Sequence, residues 1–484
     1  MIRAMLADFG ARYIVACVLF FGCVKGLAGG LLRGLVLPYF QGDLQASMAD
    51  YHRIFTIIVL LPFCVKPAFG ICSDLLPIGG YRKRWYLRVF GVMTAGTLAW
   101  TASHPVGRSN SICALTTASL GIVGADLLME ASYSEALRDR SILSGNMVVL
   151  MAWGMCIAGL GVAAVTAGTM ADAGLAREAF GIGAIPALVF ACSAAMVPEA
   201  KVVLSWFKFQ RHIGQVVLSL ILTTGACVTT VAMFHIDPSG QAGILAGTLV
   251  AVFVTAWAVL PATLFWCNLF MFIADASSLN FVGATDYFYT SDCDNTPNFT
   301  FTFYTTCSML VSSVFCLLGI VLFYHFQHLP IKLLFAWLTV ARVIAASVEV
   351  LQAARLNLHA GIGDHTFYIL GEAAVQPAVS MMFAIPMILL TSRLVDRGSE
   401  AMSYAILAGT QNLGCLVASL VGQWATAGYD IQGCDFHKLP GALVLGHMAL
   451  PLVCVPLAFL MLPDTALSNP VAASTRRGLT QQRM

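Results

Sequence analysis

The sequence predicts an all-α polytopic membrane protein, and three observations support this prediction. Of the 484 residues, 59% are hydrophobic and 10% are charged, whereas soluble domains carry about 25% charged residues. The apolar residues fall in blocks of about 20, the length of helix that crosses a hydrocarbon core of about 30 Å. Lysine and arginine are concentrated in alternate loops between these blocks.

Helices are favoured over a membrane barrel. Within lipid the backbone must satisfy its own hydrogen bonds, which leaves helices or closed barrels. Barrel strands alternate between polar and apolar residues, but the run from Val216 to Phe234 has no charge and no such alternation.

Polar breaks divide the chain into about fourteen predicted transmembrane helices, with twelve as the alternative. The break between the eighth and ninth segments, Phe265 to Asn268, is thin. The predicted spans are 13–40, 52–73, 86–104, 111–135, 145–167, 180–198, 214–235, 241–263, 266–290, 301–325, 332–353, 366–392, 401–421 and 441–462.

The basic residues predict the orientation, because cytoplasmic loops carry an excess of lysine and arginine. With a cytoplasmic N-terminus, 17 of the 26 basic residues fall inside, 5 fall outside and 4 lie within spans. We therefore expect both termini to be cytoplasmic. The plasma membrane is the expected location, with an internal organelle as the alternative.

The predicted outer loops contain two features of secreted and cell-surface proteins. Asn298-Phe299-Thr300 is an N-glycosylation sequon. Cys293 and Cys434 are the two cysteines in outer loops, so we predict a disulfide between them if that side is oxidising. The alternative is two free thiols.

A weak internal repeat predicts the domain organisation. Pro38-Tyr39-Phe40-Gln41 at the end of the first span is echoed by Asp286-Tyr287-Phe288-Tyr289 at the end of the ninth. This alignment predicts a six-helix half at 1–212, an inserted helix pair at 213–264, a second six-helix half at 265–464 and a cytoplasmic tail at 465–484. Two such halves are typical of transporters. Aromatic belts at the membrane interface are the alternative explanation.

A glycine-rich motif follows the second span. It contains Gly70, Asp74, Gly80, Arg82 and Arg84, in the pattern that transporters of the major facilitator superfamily have in this cytoplasmic loop. Its glycines permit a tight turn, and its carboxylate can face a helix N-terminus. We interpret these five residues as a gating motif, against the alternative of an ordinary positively charged inner loop.

The motif and later segments together resemble the folate–biopterin transporter family, a branch of the major facilitator superfamily. The matching stretches are Lys66 to Arg84, Gly283 to Thr290, Phe301 to Tyr304, Arg355 to Tyr368 and Gly398 to Gly414. This resemblance implies a major-facilitator-like fold and import of folates or pterins, driven by protons. Trp85 and Asn295-Thr296-Pro297 depart from the family pattern. A carrier of another solute, such as S-adenosylmethionine, and a nutrient receptor on the same scaffold remain as alternatives.

Six residues are assigned to substrate binding. A charge within a membrane span is costly and usually faces a cavity or a partner, and cations suit an anionic ligand. For Arg342 and Lys66 the alternative is internal pairing, with Glu349 and Asp126 respectively. The six residues are the basic Lys25, Lys66 and Arg342 and, within segments that match the family, Asp286, Asn357 and Asn412.

Asp126 and Glu130 are the candidates for proton coupling. They lie four residues apart on the fourth span and hence on one helix face. Two carboxylates in a low-dielectric site repel, which favours a proton on one of them. The alternative is a lock at the cytoplasmic mouth, with Glu130 paired to Arg82 or Arg84.

Other classes of protein are disfavoured. The sequence has no paired histidine motif, no Ser/His/Asp cluster at the interface and no CxxC pair, so we expect neither an enzyme nor a metal site, and no cofactor. No basic tract indicates nucleic acid. We expect a monomer whose partners are a small-molecule substrate, protons and the lipid bilayer.

Overall fold

The computed structural model describes residues 9–104, 107–138, 142–202, 210, 212–394 and 400–464. The predicted tail at 465–484 lies outside these residues, as do several basic residues of the predicted inner loops, among them Arg140 and Arg397. The described part of the chain is almost entirely helical, and its β-structure is limited to two isolated bridges.

Fourteen helices, α1 to α14, account for all of the predicted segments within the described residues. They are α1 Ala11–Asp43, α2 Met48–Leu75, α3 Arg84–Ser103, α4 Arg108–Arg138, α5 Ile142–Asp172, α6 Ala176–Met196, α7 Ile213–His235, α8 Pro238–Val259, α9 in two segments (Ala262–Ala276 and Val282–Thr290), α10 Thr302–Phe326, α11 Ile331–Ala353, α12 Asp364–Thr391, α13 Glu400–Gly428 and α14 Leu439–Met461.

Twelve helices of the described chain are long and apolar enough to cross a membrane, which is the alternative count and not fourteen. The other two depart from a regular span for local reasons. α3 carries Arg84 and Arg88 in its first two turns, which makes it less apolar. α9 is interrupted after Ala276, so its two segments have 15 and 9 residues.

Small residues bring α1 and α5 into close contact. A Cβ atom at Gly159 of α5 would lie 2.0 Å from the carbonyl oxygen of Gly22 on α1, and one at Gly26 would lie 2.5 Å from the carbonyl oxygen of Cys156. Because no real Cβ fits at these distances, the pairing depends on glycine at both positions. This contact holds α1 against the body of the first half.

Two of the helix pairs that join the predicted halves occupy related places. α2 packs along α13, and one hydrogen bond of 2.6 Å joins the hydroxyls of Thr56 and Ser419. α5 packs along α10, where the hydroxyl of Thr306 donates to the carbonyl of Ala164. Helices α2 and α10 occupy equivalent places in the predicted repeat, and so do α5 and α13. The two interfaces therefore correspond to each other under the predicted repeat, which stays a prediction.

The helices of the predicted insertion lie at one side of the molecule. α7 packs against α2 and α13, and α8 packs mainly on α7. The outer face of α8 is exposed, with Val250, Val254 and Trp257 each about 60% accessible (63%, 65% and 59%). One polar contact ties α8 to the second half, because the Trp424 indole donates to the side-chain oxygen of Gln241 at 2.7 Å.

Candidate functional site

Four charged side chains from three helices form one cluster within the membrane-spanning region. Lys25 Nζ on α1 lies 2.7 Å from Asp126 Oδ1 and 3.4 Å from Glu130 Oε1, both on α4. Lys66 Nζ on α2 donates to Asp126 Oδ2 and to Glu130 Oε2, each at 2.9 Å. Each lysine therefore contacts both carboxylates.

The cluster is buried and its charges balance. Lys66, Asp126 and Glu130 are 3%, 1% and 3% exposed, while Lys25 retains slight access to solvent. Lys25 also lies over the Trp153 ring of α5, 4.3 Å from its centroid. Two positive and two negative charges sum to zero, so removing any one of them leaves an unmatched charge in a low-dielectric site.

This geometry bears on several interpretations of the sequence, while the assigned roles stay predictions. The pairing of Lys66 with Asp126 is present. The alternative lock, in which Glu130 pairs with Arg82 or Arg84, is not formed in this structure, because Glu130 contacts Lys25 and Lys66. The repulsion expected between Asp126 and Glu130 is also offset, because both lysines lie against the two carboxylates. The sequence predicted the acids as a pair but not this four-membered network.

Asp286 lies in a cage of two tyrosines. The phenol of Tyr51 on α2 donates to Asp286 Oδ2 at 2.6 Å, and the phenol of Tyr304 on α10 donates to Oδ1 at 2.7 Å. Asp286 therefore joins helices of both predicted halves near the predicted outer end.

A buried histidine reinforces this junction. The Nε2 of His52 on α2 lies 2.9 Å from the carbonyl oxygen of Ser419 on α13, and the backbone N–H of Gly283 on α9 points to its Nδ1 at 3.4 Å. A carbonyl needs a donor and an N–H needs an acceptor, so these partners select the neutral imidazole with its proton on Nε2. A Cβ atom at Gly283 would lie 2.7 Å from the Met48 carbonyl, which explains the glycine.

The second half contains further charges, which are arranged differently from the expectation. Glu349 on α11 does not pair with Arg342. Its Oε2 lies 2.7 Å from Nδ1 of His447 on α14, whose Nε2 bonds the carbonyl of Leu279. The Arg342 guanidinium lies over the Phe383 ring at 4.6 Å.

The two asparagines assigned to substrate binding lie on different elements of the predicted second half. Asn357 lies in the short helix Leu356–His359 between α11 and α12, and its amide donates to Asp364 Oδ1 at 2.9 Å and to the carbonyl of Ile362. Arg355 holds the same carboxylate with two hydrogen bonds. Asn412 lies on α13 and donates to the carbonyl of Ala408 one turn earlier. Local hydrogen bonds thus hold both amides.

The glycine-rich motif connects α2 to α13 and α3 to α6. Asp74 accepts a hydrogen bond of 2.9 Å from the backbone N–H of Met402, in the first turn of α13. This contact places a carboxylate at a helix N-terminus, as the sequence predicted. A Cβ atom at Gly70 would lie 2.9 Å from Met402 Cα, so the glycine permits the approach.

The basic part of the motif is held through its backbone. The Glu199 carboxylate, after α6, accepts the N–H groups of Arg82, Lys83 and Arg84 at the start of α3. Gly80 has φ of +83°, a conformation that favours glycine. Sequence reasoning did not identify Glu199, because it assigned no role to the loop after α6.

The predicted outer loops meet at one covalent link. The structure contains the predicted disulfide between Cys293 and Cys434, whose Cα atoms lie 5.6 Å apart. Asn298 is exposed in the same region, and its amide donates to Asp292 Oδ1 at 3.0 Å.

Sequence reasoning missed several residues of these networks, although a signal existed for some of them. Glu372 and His447 are ionisable residues within predicted spans, so the criterion that selected Asp126 would have selected them. Tyr51 and His52 received no assignment: they lie at the edge of a predicted span, where aromatic residues are common.

The comparisons with known proteins identify the family. The BT1 family profile matches residues 25–477. A folate-biopterin transporter from Synechocystis sp. is 25% identical over 90% of this chain and 79% of that protein. Probable folate-biopterin transporter 2 from Arabidopsis thaliana is 22% identical over 95% of this chain and 84% of that protein.

Solved structures support the fold. A D-xylose-proton symporter superposes with a TM-score of 0.62 at 13% identity, over 94% of this chain and 98% of that chain. An autoinhibited peptide transporter of the POT family gives a TM-score of 0.65, also at 13% identity, over 93% of this chain and 96% of that chain. The chain therefore has the fold of major facilitator transporters.

Proposed function

The chain belongs to the BT1 family, and from this membership we propose that it is a secondary active transporter that imports folates or pterins together with protons. Its relatives named as folate-biopterin transporters support the substrate class. The observation that carries the mechanism is the buried cluster of Lys25, Lys66, Asp126 and Glu130.

The lysines of this cluster supply the binding step. Folates carry carboxylates, and a carboxylate that reaches Lys25 or Lys66 replaces one of the protein's own acids as the partner of that lysine. Lys25 is the more accessible of the two, with 13% of its side chain exposed against 4% for Lys66. We therefore expect the substrate to meet Lys25 first. Arg342 on α11 offers a second cation from the opposite half.

Displacement of an acid provides the coupling. Once a lysine turns to the substrate, Asp126 keeps fewer positive contacts in a site that is only 1% exposed. An ionised carboxylate is costly there, so proton uptake restores the balance. Asp126 contacts both lysines at 2.9 Å or less, which makes it the stronger candidate for coupling, ahead of Glu130.

The contacts between the halves supply the gates. The Tyr51–Asp286–Tyr304 cage closes the predicted outer end, and the contact between Asp74 and Met402 closes the predicted inner end. Alternating access requires one set to break while the other holds. This proposal gives Asp286 a role in the outer gate in addition to its assigned role in substrate binding.

We further propose a plasma-membrane location with both termini cytoplasmic. The distribution of basic residues supports this orientation, and it places Asn298 and the disulfide outside. A surface location also suits a carrier that takes up a nutrient.

Uptake in cells that lack their own carriers tests the substrate class. Labelled folate, biopterin and S-adenosylmethionine are each supplied at outside pH values of 5.5 and 7.5 (about one unit either side of a histidine's ordinary pKa). We expect accumulation of folate or biopterin that is faster at the lower pH. Uptake of S-adenosylmethionine alone would overturn the substrate class, and pH-independent uptake would overturn proton symport.

A further inference from the structure

Glu372 on α12 is an intramembrane acid that the mechanism above does not use. Its Oε1 is buried and lacks a hydrogen-bond partner within the described residues. The segment of α12 that carries Glu372 packs against α11, which carries another acid, Glu349. We infer that Glu372 is a second proton-binding site, formed with Glu349 and His447 in the second half of the protein. This inference rests on the proposed proton-coupled transport.

Close helix packing brings together the helices that carry these three residues. A Cβ atom at Gly371, next to Glu372, would lie 2.0 Å from Val348 Cγ1, next to Glu349. A Cβ atom at Gly446, next to His447, would lie 2.5 Å from the Phe281 ring. Glycines therefore bring α12 against α11, and α14 against α9, at the level of the acids.

The pair of Glu349 and His447 holds one proton between its two facing atoms. His447 Nε2 must donate to the Leu279 carbonyl, so Nδ1 is the atom that faces Glu349. At 2.7 Å, either Nδ1 carries the proton and meets a carboxylate, or Glu349 carries it and meets a neutral imidazole. The pair is electrically neutral in both states, so it offers Glu372 no compensating charge.

The other titratable groups near Glu372 do not compensate it either. Tyr368, on the same helix, and Tyr289 of α9 are neutral phenols that the carboxylate influences. On α10, Ser312 donates its hydroxyl to the Ala373 carbonyl, so this donor is already used. An ionised Glu372 would thus be an unmatched charge, and a proton removes it.

The site differs from the cluster of the first half in its charge balance. The Lys25, Lys66, Asp126 and Glu130 cluster is neutral when all four groups are ionised, whereas the second-half site is neutral when Glu372 is protonated. A folate with two carboxylates that enters against a negative-inside potential needs two protons to be neutralised. Asp126 and Glu372 can supply one each.

Infrared spectroscopy of the purified protein tests the site without any substrate. We expect a carbonyl band of a protonated carboxyl group at neutral pH, with lower intensity in Glu372→Gln. Asp237→Asn changes an exposed acid that caps α8 and should leave the band unchanged. A Glu372→Gln spectrum identical to that of the unchanged protein would overturn the inference.

Transport in proteoliposomes tests whether this proton is carried. With the membrane potential clamped at zero and a pH gradient of one unit, each cotransported proton multiplies the accumulation ratio about tenfold. Glu372→Gln should lower the maximal ratio by about tenfold, while Asp237→Asn keeps it. An unchanged ratio in Glu372→Gln would contradict a carried proton. If the unchanged protein accumulates neither folate nor biopterin, the proposed function fails, and the infrared result alone decides the proton site.

Discussion

A double-mutant cycle with neutral substitutions provides the sharpest test of the buried cluster. Asp126→Asn leaves two lysines facing one carboxylate, and Lys25→Met leaves two carboxylates facing one lysine. Breaking one partner of a buried ion pair typically costs about 3–5 kcal/mol of unfolding free energy, because the remaining charge is uncompensated. We expect each single variant to fall in this range.

The double variant restores the balance. Lys66 and Glu130 remain, with a hydrogen bond of 2.9 Å between them, so Lys25→Met with Asp126→Asn again sums to zero charge. We expect it to be more stable than the sum of the single effects by about 2–3 kcal/mol, the upper part of the range for residues in contact. Unfolding of the detergent-solubilised protein, followed by tryptophan fluorescence, measures all four stabilities.

An exposed ion pair supplies the matched control. Lys332 and Asp464 lie 2.8 Å apart, and the Asp464 side chain is 69% exposed. The same cycle there, with Lys332→Met and Asp464→Asn, should give a coupling energy below about 1 kcal/mol. Additive effects of Lys25→Met and Asp126→Asn, to within about 0.5 kcal/mol, would refute the interpretation of the four residues as one network.

Three further predictions concern the gates and the outer surface. Asp74→Asn weakens the contact with the Met402 N–H, so it should lower the maximal transport rate severalfold with little change in substrate affinity; weakened equilibrium binding at a normal rate would contradict a gating role. Cys293 and Cys434 should react with a membrane-impermeant thiol reagent only after reduction, and labelling without reduction would exclude the disulfide in cells. Asn298→Gln should remove any glycosidase-sensitive mass from the protein made in a eukaryotic cell, and a shift that persists in this variant would place the modification elsewhere.

The arrangement of helices could be predicted from the sequence because each helix must be apolar over its own length. All fourteen predicted segments are helices, including the segment interrupted after Ala276. The count of spans was less predictable. Whether α3 and α9 resemble regular spans depends on Arg84 and Arg88 in one and on a break in the other, which are small local changes in an apolar chain.

The site was less predictable, because contacts between distant helices leave no local pattern. Spacing placed Asp126 and Glu130 on one face of α4, but it could not show that lysines from α1 and α2 lie between them. For the same reason Arg342 and Glu349, two turns apart on one helix, were an attractive pair. In the structure Glu349 instead forms a hydrogen bond with His447, which is 98 residues away in sequence.

Helix α2 connects the charge cluster to both gates. It carries Tyr51 at the predicted outer end, Lys66 in the cluster and Asp74 at the predicted inner end. At a rise of about 1.5 Å per residue, Lys66 is about 22 Å from Tyr51 and about 12 Å from Asp74 along the helix.

The regular helix of α2 is interrupted beside this lysine. Pro62 and Pro67 flank Lys66, and the regular helix is interrupted at Val65. Proline removes a backbone donor and weakens the helix one turn earlier, which is where helices kink. A change of partner at Lys66, from Asp126 to a substrate carboxylate, therefore acts beside an interruption of the helix that contributes to both gates. We expect this placement to convert a local exchange of ion pairs into movement of one half against the other, because a small shift at a hinge is amplified at the helix ends.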